Sequence, residues 1–185
     1  MVCSTAALVV LLIATIACQI NIGGAKPPGE PILTDSSATN DLTQVWQSAL
    51  VGALATGQVM VILDEVQLTT FLAHRLEAHE APILLQPQVY LRQNAIQVFG
   101  TTERGFLKAN VLMVITPLVD SDGNIVLELT TAEFGPVPAP KTLKETVSAV
   151  LTEAFTGSFG SLATGIRVTT LAIQDGTMAI VGELR

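Results

Sequence analysis

Between Leu85 and Leu129 apolar side chains recur at every second position, a spacing that suits an extended chain with one covered face. Leu85, Pro87, Val89 and Leu91 share one face, and Ile96 and Val98 follow beyond a Gln93-Asn94 turn. Leu107, Ala109, Val111, Met113 and Ile115 then line a long strand whose other face carries Lys108 and Asn110. Asp120-Ser121-Asp122-Gly123-Asn124 reads as a turn, with Ile125, Leu127 and Leu129 returning opposite Glu128 and Thr130. The pattern predicts an antiparallel meander. A C-terminal hairpin follows, with Ile166, Val168 and Thr170 going out, Asp175-Gly176 as a two-residue turn, and Met178, Ile180 and Gly182 coming back.

Around this meander the period changes to that of a helix. Leu42, Val45, Trp46, Ala49, Leu50, Ala53 and Leu54 recur at three and four residues, and Gly57 stands where such a helix would stop. Val59 to Leu63 reads as a short buried strand. Asp64 with Gln67 three residues on has the spacing of a capping box, opening a helix that carries Leu68, Phe71, Leu72 and Leu76 inward and ends near His79, before Pro82. Thr142 with Glu145 repeats that signature, and Leu143, Val147, Val150, Leu151, Ala154 and Phe155 predict a long amphipathic helix closed by Gly157. The whole reads as α+β: a curved antiparallel sheet, meander plus C-terminal hairpin, packed around a long helix.

The first part of the chain obeys neither period. Val2 to Ile22 holds no charge and is long enough to cross a bilayer as a helix, while its core from Ala6 to Ala14 also fits a signal segment. Thr15-Ile16-Ala17-Cys18 resembles the bacterial lipobox, which would make Cys18 a lipidation site; the alternative is an uncleaved anchor in which Cys18 is an ordinary residue. Gly23-Gly24, Lys26-Pro27-Pro28-Gly29 and Pro31 then suggest a flexible spacer. The expected organisation is 1–22 as signal, lipoprotein or transmembrane segment, 23–40 as linker, and 41–185 as one extracytoplasmic domain, tethered to the outer face of the membrane.

Composition narrows the function. Hydrophobic residues make up 49% of the chain and charged ones 14%, so apolar surface must be buried, embedded or used for binding. A net charge of −7 argues against nucleic acid, which is bound through clustered Lys and Arg. His74 and His79 are five apart, a poor spacing for ligands on one helical face, and neither they nor Glu77 and Glu80 read as a metal site. Aligning Gly123 with the glycine of a calcium loop puts Leu118 and Leu129 at ligand positions, so Asp120 to Asn124 reads as a plain turn. The paired carboxylates Asp64-Glu65 fit a helix start. No nucleophile elbow, P-loop or dinucleotide fingerprint is present, and the chain reads as non-catalytic with no cofactor.

The order of elements, with Leu63-Asp64-Glu65-Val66-Gln67-Leu68 at a helix start and Phe134-Gly135-Pro136-Val137-Pro138-Ala139-Pro140 before the last helix and hairpin, resembles YpmS-like bacterial proteins. It is also similar to LmeA-like and other tubular lipid-binding proteins, over roughly Gly57 to Leu184. That resemblance implies a membrane segment followed by an extracytoplasmic domain whose curved sheet cradles a helix and acyl chains. The expected groove is lined by Leu107, Val111, Met113, Ile115, Val150 and Phe155, with the membrane and lipid acyl chains as partners. The other expectation is a protein–protein interaction module of the cell envelope.

Overall fold

The structure, a computed structural model, describes residues 20–34, 36–77, 84–105, 107–138, 141–152 and 166–184. In chain order its elements are β1 (Ile20–Asn21), α1 (Ser36–Thr56), β2 (Gln58–Asp64), α2 (Glu65–Glu77), β3 (Leu85–Arg92), β4 (Ala95–Arg104), β5 (Leu107–Val119), β6 (Ile125–Phe134), β7 (Val137–Pro138), α3 (Lys141–Thr152), β8 (Ile166–Gln174) and β9 (Thr177–Leu184). Residues 1–19 of the expected anchor, with Cys18, and also His79, Glu80 and Phe155, lie outside the described residues, whereas Ile20 to Ile22, counted in that anchor, are bonded alongside β5.

The meander forms as its alternation requires. Strands β3, β4, β5, β6 and β7 pair in that order, and β1 lies parallel to β5, giving a mixed sheet that curls into a half-barrel. Gln93 and Asn94 link β3 to β4 at φ of 54° and 59°, the left-handed pair that a two-residue hairpin needs. The inward residues Val89, Leu91, Ile96, Val98, Val111, Met113 and Ile115 join Leu68, Phe71, Leu72 and Leu76 of α2 in one buried cluster. Leu143 and Val147 of α3 complete it beside β6.

The C-terminal hairpin does not extend this sheet. It pairs instead with β2, giving a separate three-stranded sheet in the order β2-β9-β8, with Met60 opposite Val181 and Ile62 opposite Ala179. Strand β2 is therefore an edge with one covered face, not a fully buried strand. Val59, Val61 and Leu63 point into the core, while Met60 and Ile62 are 62% and 54% exposed.

Helix boundaries follow the caps. Asp64 Oδ1 accepts the Gln67 N–H at 2.8 Å and Gln67 Oε1 accepts the Asp64 N–H at 3.1 Å, a reciprocal capping box at the start of α2. Gly57, at φ +75°, donates its N–H to the Ala53 carbonyl at 2.7 Å and closes α1. Two expectations shift. Helix α1 begins at Ser36, inside the stretch read as linker, and is the longest described helix at 21 residues. Helix α3 is described for 12 residues and starts at Lys141, so Thr142 lies in its first turn instead of at the cap; Glu145 faces Lys141 at 3.4 Å.

The edge of the half-barrel at β3 is covered by side chains. Thr69 Oγ1 accepts the Val89 N–H at 2.9 Å, and Glu65 Oε1 accepts the Leu91 N–H at 2.7 Å while also bonding the Arg92 guanidinium. The Leu91 carbonyl accepts the Gly176 N–H from the β8–β9 turn at 3.1 Å. Free backbone groups on an edge strand invite pairing with other chains, and these bonds remove them.

Candidate functional site: a cleft beneath an N-terminal strap

Strand β6 ends at Phe134, opposite Val111, so the first residues of β5 from Leu107 have no partner in β6, and the N-terminal part of the chain pairs with them instead. Ile20 and Asn21 stand opposite Leu107 and Lys108, the Ile22 N–H donates to the Lys108 carbonyl at 2.9 Å, and the Asn110 N–H donates to the Gly23 carbonyl at 2.9 Å. Gly24 then crosses Gly135 so closely that a Cβ there would lie 2.8 Å from the Gly135 Cα and 2.9 Å from the Asn110 carbonyl oxygen. Only glycine fits that crossing.

Residues 25–34 continue as a strap over the outer face of the sheet. Gln88 on β3 holds it by both ends of its side-chain amide: Nε2 donates to the Ile32 carbonyl at 3.2 Å, and Oε1 accepts the Ile32 N–H. The Tyr90 hydroxyl donates to the Glu30 carbonyl at 2.9 Å. The Tyr90 ring meets Phe99 of β4 edge to face, with centroids 5.7 Å apart, and both rings are buried although they sit on the outer side. Burial pushes the Tyr90 phenol pKa up, the Glu65 carboxylate adds to this, and the Arg92 guanidinium opposes it. The stretch expected as a spacer is thus laid along the sheet by specific bonds.

Beneath the strap lies a cleft of about 560 Å³. Its strap wall is Ala25, Pro27, Pro31, Ile32 and Leu33, and its floor is Gln86, Pro87, Gln88, Gly100, Thr101 and Asn110, with Ala73 and Glu77 of α2 at the side. A second hollow of about 350 Å³ shares Ala73, Glu77, Gln86, Pro87 and Thr101 with it and runs on to Leu76, Leu84, Glu103 and Lys108. The two make one trough at the end of the half-barrel where β5 begins. The register shift between Leu85 and Gln88, with Gln86 at φ 49°, opens the floor there. Thr101 Oγ1 is buried against the trough and finds no hydrogen-bond partner among the described residues. The Glu103 carboxylate and the Lys108 ammonium pair at 3.0 Å at its rim.

The residues expected to line a groove are not brought together here. Val111, Met113 and Ile115 are packed in the central cluster, with Met113 at 0% exposure, while Leu107, at the end of the same strand face, is 37% exposed. Val150 lies on α3, and Phe155 is outside the described residues. The strap, Gln88 and Thr101 were missed by sequence reasoning. The Gly- and Pro-rich strap carries no periodicity, and Gln88 and Thr101 occupy positions that alternation assigns to solvent.

His74 is exposed in the last turn of α2. Asp120 Oδ1 accepts the N–H groups of Asp122 and Asn124 at 2.9 and 2.8 Å, and Oδ2 accepts Asn124 Nδ2 at 2.9 Å, so both oxygens serve the turn itself. Bonds from Asn124, with lesser ones from Asp122 and Gly123, hold the Asp120 carboxyl below the usual carboxylate range. Among the described residues no group of His, Cys, Asp and Glu is placed to hold a metal, and no helix is long and apolar enough to cross a membrane. Compared with protein-family models and with curated proteins, the chain matches none.

Proposed function

We propose that this chain is a non-catalytic, membrane-tethered protein of the extracytoplasmic face, which holds a lipid acyl chain or similar hydrophobic ligand in the trough beneath its N-terminal strap. One observation carries the reading: the main cleft, at about 560 Å³, falls within the roughly 300–1,000 Å³ of small-molecule sites. Half of its lining is Ala, Pro, Ile and Leu, and among the polar remainder the Thr101 hydroxyl and Gln86 amide stand ready to orient a polar head. The curled sheet closing on α2 and α3 accords with the architecture that the tubular lipid-binding resemblance implies. Tethering through the apolar residues that precede Ile20, by a lipidated Cys18 or an uncleaved helix, belongs to the same proposal.

Native mass spectrometry of the full chain after gentle detergent extraction tests it, together with uptake of a fluorescent fatty acid. The wild type is expected to carry lipid. Ala73→Phe, which fills the side of the trough, is expected to lose both retained lipid and uptake while remaining folded. Met113→Trp is expected to destabilise instead, by about 1–3 kcal/mol, as overpacked cores do. A wild-type chain that neither retains lipid nor takes up the fatty acid would remove the binding reading. The envelope-interaction module would then be preferred, a reading favoured by the exposed Val51 and Leu54 of α1 and Met60 and Ile62 of β2.

A further inference from the structure

We infer that the end of the half-barrel carrying Leu107 rests directly on a lipid bilayer, so that the trough opens toward the membrane. The inference rests on the proposed membrane tether and is independent of whether the trough holds a lipid.

The direction of β1 sets the geometry. Because β1 runs parallel to β5 with Ile20 opposite Leu107, the chain enters the domain from beyond the Leu107 end of the sheet. Residues 1–19 contain no Lys, Arg, Asp or Glu, so no hydrophilic stretch separates the apolar segment from the sheet. The sequence that could have served as a spacer, residues 23–34, is used on the sheet and in the strap. Even fully extended, each residue between an apolar segment and Ile20 adds at most roughly 3.3–3.6 Å of reach. A tether that short holds the Leu107 end against the headgroups.

The surface at that end suits such a contact. Ile20 is 52% exposed, its neighbour Leu107 37%, and Leu33, on the strap wall of the trough, 84%. The nearby Lys108 and Glu103 neutralise each other. Two other exposed apolar groups lack this support. Leu118 and Val126 face each other at the opposite end beside the acidic Asp120–Asp122 turn. The apolar residues of α1 and β2 lie on elements with no link to a membrane segment.

The test places an environment-sensitive fluorophore on single introduced cysteines, Leu33→Cys, Leu107→Cys and Ser121→Cys, in the full chain reconstituted in phosphatidylcholine vesicles. The unsubstituted chain serves as the labelling blank for Cys3 and Cys18. Ser121 stands at the far end of the 13-residue β5, roughly 40 Å from Leu107 at about 3.3 Å per residue. Lipids bearing a nitroxide near the glycerol end of one acyl chain should quench the Leu33 and Leu107 probes at least about threefold more than the Ser121 probe, with blue-shifted emission, as for groups held roughly 5–10 Å into the interface. Equal quenching at all three sites, stronger quenching at Ser121, or a chain that does not float with the vesicles overturns the inference. Lipid retention without preferential quenching would leave the binding reading standing and remove the docking. Preferential quenching by a chain that purifies free of lipid would do the reverse.

Discussion

Glu65 opens α2, yet its carboxylate is spent on the neighbouring sheet: it accepts the Leu91 N–H and bonds Arg92, closing the free edge of β3. In sequence the Asp64-Glu65 pair reads as helix capping and dipole compensation alone, because the partner strand lies more than twenty residues on. Glu65→Ala leaves a part-buried backbone donor unsatisfied and is expected to cost about 1–3 kcal/mol in urea denaturation; an unchanged midpoint would mean that water replaces the carboxylate. Asp120 acts differently, since its bonds all lie within its own turn. Folding lowers its pKa, so its contribution is fully present above the ordinary carboxylate range and is lost as pH falls through the lowered folded value. Asp120→Asn, which keeps one acceptor oxygen for the Asp122 and Asn124 N–H groups and gives up the acceptor for Asn124 Nδ2, is expected to shrink the drop in stability between neutral pH and about pH 3. Identical pH profiles for the two proteins would show that the carboxylate does not couple to folding.

At the scale of elements, the two capping signatures in the sequence look alike and behave differently. The Asp64–Gln67 box is made reciprocally, and Asp64→Ala is expected to cost about 0.5–2 kcal/mol. Thr142 is an exposed first-turn residue of α3, and Thr142→Ala is expected to stay within about 0.5 kcal/mol. Thermal melts of the two variants decide the point; equal losses would restore Thr142 as a cap. Local signals were legible throughout: the Gln93-Asn94 and Asp175-Gly176 turns, Gly57, and the alternation of β3 to β6 all lie where the spacing puts them. Which strands would pair was not. Alternation says that β2 and the last hairpin each have one covered face, but the same pattern serves equally well in one sheet or two.

Across the whole molecule, the candidate site was hidden because it is built from a strap and a strand far apart in sequence. Proline-rich chain without periodicity looks the same whether it floats or is pinned, and only the side chains of Gln88 and Tyr90 decide between them. The uniform apolar face of β5, which suggested a groove, is explained by two sheets and three helices converging on one core. The pairing of β2 with β9 has a further effect, on how the polypeptide comes to be assembled. Synthesis delivers β2 well before β9, so the hydrogen-bonding edge of β2 has no native partner until Thr177 to Leu184 have emerged. Long-range pairing of this kind is slow and leaves sticky edges waiting. A nascent chain cut short before β9 leaves both β2 and β8 unzipped, and the apolar Met60 and Ile62 then sit on an edge open to any other extended segment. The eight residues of β9 thus act as the latch of the second sheet, and a chain lacking them is open to capture by chaperones or proteases.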